Sequence, residues 1–371
     1  MDRPIDVERV GWPHSRRRPV WLAVLAAGAL GLGTLPLAAA AEEPAPSAYV
    51  QTNLVSDLPG VAQLTDPDLV NAWGMSFSPT SPVWVSDNGA DVATLYRGAT
   101  SAMPISKVGL TVAIPDGAPT GQVFNPSADF VVTTASGGGP ARFIFASENG
   151  AIDAWNPSAS LTMAQSMVSE PGAVFKGLAI STSSGNFLYA ANFHDGRIDV
   201  FDGSFHLTAL AGSFSDPGLP PGYAPFDVAN LNGQLFVTYA RQDADAHDDV
   251  AGQGHGFVDV FDLQGNLVRR LIQHGRLNSP WGLAIAPAGF GQFSGDLLVG
   301  NFGDGRINAY DPASGEFAGV LGSRPGKPIV IDGLWALLFG NGTAGTTTTL
   351  LFSAGPNHEA DGLFGSITFA P

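Results

Sequence analysis

Oxygen-bearing side chains follow short apolar runs at recurring places along the sequence: Asp87 and Asn88, Glu148 and Asn149, Asn192 and His194, Asn301, then Asn357, His358 and Glu359. Carboxylates and amide carbonyls are hard ligands that suit Ca²⁺ or another divalent cation. Glu148, Asn192, Asn301 and Glu359 therefore form a candidate metal set. A second candidate set, Asp243, Asp245 and Asp249, lies in ARQDADAHDDVAGQGHG (240–256). That loop opens with the D-x-D of a calcium loop but lacks the Gly and distal Glu of an EF-hand. Asn71, Asn88, Asn125, Asp227, Asn278 and Asp332 are candidate ligand-binding positions. Turn formation competes with every one of these readings, because Asn, Asp and Gly tolerate positive φ and bond their own backbone. Glu148 and Glu359 are harder to explain as turn formers.

Other chemistries find less support. The sequence has no cysteine, which removes disulfides, thiolate nucleophiles and Cys-bound metals. It has no nucleophile elbow, P-loop or HExxH motif, and its seven histidines are scattered. A formal charge of −16 repels phosphate backbones, so nucleic acid is not an expected partner.

The elements that would position these side chains repeat. LYAANFHDGRIDVFD (188–202) and LLVGNFGDGRINAYD (297–311) match at eight of fifteen positions. Related segments begin at Val83, Phe143, Gly252 and Leu363, and their turn positions Ala90, Gly150, Gly196, Gly256, Gly305 and Gly365 are on average 55 residues apart. Each unit has an apolar run, an Asn/Asp/Gly turn and an alternating run, which is a hairpin pattern. Upstream lies a further short strand, as in Trp73-Gly74-Met75, Lys176-Gly177-Leu178 and Trp281-Gly282-Leu283. With a fourth strand after each hairpin, the pattern predicts an all-β, six-bladed β-propeller of four-stranded antiparallel blades.

The last unit is one strand short. The alternating segment at residues 49–55 is expected to complete it and close the ring, removing an exposed sheet edge. Residues 42–371 then form one propeller domain.

Ahead of it, Arg16, Arg17 and Arg18 precede an apolar stretch from Val20 to Leu37 and an Ala run at 38–41. This is the plan of an export signal cleaved near Ala40 or Ala41, by either the general or the twin-arginine route. Cleavage leaves 12 basic and 30 acidic residues on an exported periplasmic or extracellular domain with no expected membrane contact.

The stretch LVSDLPGVAQLTDPDLVNAWGMSFSPTSPVWVSDNGADVATLY (54–96), with the segments at 239–262, 278–287 and 301–311, resembles a family of uncharacterised exported bacterial propeller proteins. Some members carry a C-terminal PEP-CTERM sorting segment, which this sequence does not show. The resemblance implies a fold without an activity. A weaker likeness runs to NHL-repeat and gluconolactonase-type propellers. The latter imply a divalent metal at the channel mouth, with Glu148, Asn192 and Asn301 in comparable places.

Two functions follow as expectations. One is a binding or interaction scaffold whose polar channel-mouth face takes a protein, glycan or small-molecule ligand. The other is a divalent-metal-dependent hydrolase of lactone or ester type, in which the cation polarises a carbonyl and a carboxylate acts as base.

Overall fold

The computed structural model describes residues 48–323 and 327–370; the export signal expected at residues 1–41 lies outside them. Six antiparallel sheets follow one another along the chain as propeller blades. Their innermost strands are Ala72–Ser76, Pro119–Phe124, Phe175–Ser181, Tyr223–Leu231, Pro280–Ile285 and Leu334–Phe339, for blades one to six. The second strands open as apolar runs of three or four residues because both faces are covered. Val83–Asp87, Phe143–Ser147, Leu297–Asn301 and Leu350–Ala354 are buried at every position. Among the described residues no helix is long and apolar enough to cross a membrane.

Blade three is the least regular. Its sheet has three full strands, and the fourth is reduced to a bridge between Phe201 and Leu207 and a hydrogen bond from Thr208 N to Val200 O. The segment that follows, AGSFSDPGLPPG (211–222), is rich in Gly and Pro, which do not sustain a ladder.

The ring closes as the strand count requires. Ala48–Ser56 pairs antiparallel with Leu363–Ala370, placing Tyr49 opposite Phe369. Gly365 lies within that last strand rather than at a turn, and a Cβ there would strike the Phe352 ring 2.2 Å away. Tyr49 anchors the closing strand. It is buried, its hydroxyl donates to Phe290 O at 2.8 Å, and its ring packs on Phe290, Phe293 and Phe369.

All six innermost strands share a second irregularity. Each slips register against its neighbour at the same place, around Trp73-Gly74, Thr120-Gly121, Lys176-Gly177, Phe226, Trp281-Gly282 and Trp335-Ala336. A bulge re-aims side chains and leaves backbone groups unpaired. Side chains of adjacent blades bond several of these: Gln122 Nε2 donates to Gly74 O at 2.9 Å, Thr120 Oγ1 to Phe175 O at 2.7 Å, and Ser353 Oγ to Trp73 O. Glycine at the bulge lets neighbouring strands touch. A Cβ on Gly74 would lie 2.4 Å from Thr120 O, and one on Gly121 would lie 2.4 Å from Leu178 N.

The third strands carry a buried polar residue in the repeated [IV]-[DN]-x-[FYW] pattern: Asp153, Asp199, Asp259 and Asn308. Burial, then repulsion from Asp116 in the preceding link, pushes the Asp153 carboxyl up to about 8. Burial and Asp216 push Asp259 up to about 7.

Two expectations follow. Tyr49→Ala should lower stability by about 3–5 kcal/mol, the cost of emptying a large aromatic site; an unchanged urea midpoint would show that the closing strand is not anchored this way. Asp153 binds its proton more tightly folded than unfolded, so its contribution to stability should fall as pH rises from about 4 to about 8. The slope from one such group is at most about 1.4 kcal/mol per pH unit. Asp153→Asn, an amide like Asn308 at the equivalent position of blade five, should flatten that part of the profile in denaturation series across this window.

Candidate functional site at the channel mouth

The innermost strands begin at one end of the channel, and five of them are entered through a left-handed residue: Asn71, Ala118, Gly222, Ser279 and Gly333. Asn71 supplies the first contact of the mouth. Its Nδ2 donates to Glu359 Oε2 at 2.8 Å and to Asn88 Oδ1 at 3.1 Å, and its Oδ1 accepts from Trp335 Nε1 at 3.2 Å. Asn88 Nδ2 then donates to Glu148 Oε2 at 2.9 Å. The other oxygen of Glu148 accepts from Lys176 Nζ, which also reaches Asp248 Oδ1 at 3.3 Å. His247 Nδ1 lies 3.0 Å from the same Asp248 oxygen. A polar arc thus runs from blade six through blades one, two and three to the insert of blade four.

Lys176 is the centre of this arc. Its side chain is only 2% exposed, and its ammonium lies over the rings of Trp73 at 5.2 Å and Phe193 at 5.9 Å. Burial alone would drive off its proton, but Glu148 and Asp248 reverse that effect and hold the ammonium above its ordinary range. Lys176 in turn lowers Asp248 against the opposing effect of burial. Glu359 is raised by burial, with its bond from Asn71 acting the other way.

Beneath the arc the channel is plugged by aromatic rings. Trp73 stacks on Trp335 at 3.6 Å, Phe302 stacks on Trp335 at 4.0 Å, and Trp281 meets Trp335 edge-on at 5.8 Å. Trp73, Lys176, Trp281 and Trp335 occupy equivalent bulge positions. The repeat that aims tryptophans into the axis also aims the lysine there.

Glu359 is delivered by a strained turn: Asn357, His358 and Glu359 have φ of 58°, 57° and 65°. Left-handed backbone is unfavourable for residues with a Cβ, least so for Asn, and three in a row need outside support. Asp332 Oδ2 accepts from Asn357 N at 2.9 Å, Asn357 Nδ2 donates to Asp361, and Glu359 N donates to Gly355 O.

Of the sequence candidates, Glu148, Glu359, Asn71 and Asn88 meet in the arc, and exposed Asp332 braces its strained turn. Asn192 is held in its own hairpin, donating to Asp199 at 2.7 Å and Asp195 at 3.1 Å. Asn301 likewise donates to Arg276 O at 2.8 Å and Asp304 at 3.1 Å. Asn278 accepts from Gly252 N at 2.6 Å, fixing the insert to blade five.

Asn125 does not belong to the mouth. It follows the innermost strand of blade two instead of preceding it, so it lies at the opposite end, bonding Asp129 O and Ala141 O. Asp227 is placed inside the channel, within the innermost strand of blade four. The insert also organises itself: Asp243 accepts from His247 N at 3.0 Å, Asp245 is exposed, and Asp249 is raised by burial beside Ser279.

Among the described residues one group of acidic and histidine side chains is close enough to share a cation: Glu148, His247 and Asp248, with ligand atoms within 4.8 Å of one another. Asp243, Asp245 and Asp249 are not in it. The Lys176 ammonium already bonds both carboxylates of that group. A divalent ion there would have to displace a buried positive charge.

The chain is 33% identical over 327 residues to the uncharacterised protein R648 of Acanthamoeba polyphaga mimivirus, covering 85% of this chain and 78% of the relative. It is 32% identical to the uncharacterised protein L690 of the same virus, covering 85% and 84%. This chain belongs to their family. No family model matches it. Among solved structures, virginiamycin B lyase from Staphylococcus aureus superposes with a TM-score of 0.51 over 87% of this chain and 99% of that one, at 14% identity. That likeness shows the six-bladed propeller fold.

Lys176→Met should lower stability by about 3–5 kcal/mol, because Glu148 keeps a largely buried charge with Asn88 but no cation to pair with it. Adding Glu148→Gln should recover part of the loss, and a thermodynamic double-mutant cycle measures the coupling. Additive effects would mean that the pair is not coupled.

Proposed function

We propose that this protein is an exported binding propeller that recognises its ligand at the polar channel mouth. The observation that carries this reading is the Lys176 ammonium buried between Glu148 and Asp248. It supplies the cation the acidic mouth requires, so the mouth is organised for hydrogen bonding without an added metal. Glu148, Asp248 and Glu359 outnumber this one ammonium, which leaves an arc rich in acceptors. Its complement is a ligand rich in donors, such as the hydroxyls of a glycan, a basic segment of a protein or a small polyol. The aromatic plug beneath gives that ligand a rigid floor, and the strained 357–359 turn is consistent with a site held in shape at a cost in stability. The Arg cluster, apolar stretch and Ala run of residues 1–41 support a periplasmic or extracellular setting for this reading.

The proximity of Glu148, His247 and Asp248 supports a second reading, the metal-dependent hydrolase of lactone or ester type. There the ion would sit on these three side chains after Lys176 moved aside.

Glycan and peptide arrays probed with the purified protein test the first reading. Binding should survive chelator treatment and fall about tenfold or more in Asn88→Ala and in Glu359→Gln, as expected for loss of a charge-assisted hydrogen bond. Stoichiometric divalent metal in the purified protein, with lactone or ester turnover lost on chelation, would replace it with the second.

A further inference from the structure

The far side of the aromatic plug opens into a cavity of about 470 Å³, lined by the later halves of the innermost strands. Its walls are mainly apolar, with Met75, Phe77, Leu178, Val228, Leu283 and Leu337 among them. A cavity of this size suits a small organic ligand. Its polar groups are mostly engaged: Ser76 Oγ donates to Gln122 Oε1, Gln122 Nε2 donates to Gly74 O and Ser86 Oγ, and Asn230 Nδ2 donates to Ile180 O.

Asp227 is the exception. It follows the bulged Phe226 and pairs with Thr238, at the place where the other blades have Gly74, Gly121, Gly177, Gly282 and Ala336, so the repeat itself does not call for a carboxylate. The residue is only 7% exposed and rests against Gly177, where a Cβ would lie 2.2 Å from its Oδ1. Among the described residues no side chain donates a hydrogen bond to it and no basic group pairs with it; only the Val228 amide favours its charged form. Burial lifts this carboxyl to about 7. An anionic group unpaired in an apolar cavity is unfavourable, and either a proton or a cationic ligand relieves it.

We propose that this lower cavity binds a small protonated amine with an apolar or aromatic body, the ammonium pairing with Asp227 and the body filling the apolar walls. The aromatic rings of Phe77, Phe124 and Trp281 on the same walls also favour a cation over a neutral ligand. This site lies across the plug from the mouth and does not depend on what the mouth binds.

Calorimetric titration of the purified full chain with 2-phenylethylamine and n-hexylamine, against 2-phenylethanol and n-hexanol, tests the proposal. The amines should bind at least about tenfold more tightly than the matching alcohols. Asp227→Asn should abolish that preference while leaving alcohol binding unchanged. Ala229→Trp, which places a large ring at the half-buried cavity wall, should block both classes. Equal binding of amine and alcohol, no amine binding, or a preference that survives Asp227→Asn would each overturn it. If Asp227→Asn does not fold, the wild-type amine preference together with its loss in Ala229→Trp decides the matter.

Discussion

Close approach of the innermost strands around the axis is the constraint on which the rest of this molecule depends. Six blades can surround a narrow channel only if backbone meets backbone where the strands converge, and Gly74, Gly121, Gly177 and Gly282 permit that contact. A Cβ at these places would run into the next blade's main chain or, at Gly177, into Asp227. The accompanying bulge breaks the ladder and turns one side chain per blade toward the axis. Packing and site geometry therefore have one origin. The bulge that admits the neighbouring strand also supplies Trp73, Phe226, Trp281 and Trp335 to the plug and Lys176 to the mouth.

A buried ion pair is weak evidence for stability, because desolvation of both charges offsets their attraction, whereas an apolar residue of similar volume carries no such penalty. The other five bulge positions show what such residues look like here: three tryptophans, a phenylalanine and a threonine. Retaining a lysine among them makes sense when the charge itself is used. Here it connects carboxylates from two blades and fixes the exposed blade-four insert over the channel through Asp248. That gives the mouth a defined shape without requiring the insert to contribute much apolar surface.

The blades were legible because strand alternation, Gly-containing turns and repeat spacing all point to the same fold, and strand counting led to the pairing of 48–56 with 363–370. The site was legible only in part. Glu148 and Glu359 stood out because Glu is a poor turn former, and both lie in the arc. Lys176 reads locally as an ordinary strand residue, and only aligning Lys-Gly-Leu with Trp-Gly-Met and Trp-Gly-Leu reveals a charge in an aromatic position. Asn125 lies at the opposite end from the mouth, and a polar residue beside an innermost strand does not by itself say which end of that strand it flanks. Hydrogen bonds spanning residues as distant as Asn71 and Glu359 leave no local pattern in the chain.

A repeat protein offers an internal reference that a single-copy fold does not: each position has five structural equivalents showing what the scaffold alone requires. Measured against that reference, the glycine ring and the tryptophans belong to the architecture. Lys176, Asp227 and the 357–359 turn are departures: the first two put a charged group where their equivalents are uncharged, and the turn has three consecutive left-handed residues where blade one has Asp91 and other blades a glycine. Two of these departures meet through the polar arc above the plug, and the third lies in the cavity below it. Departures scattered by drift would have no reason to gather along the axis, where substitutions are most constrained by packing. Their concentration at the two ends of one channel is what separates a binding surface from an irregular blade.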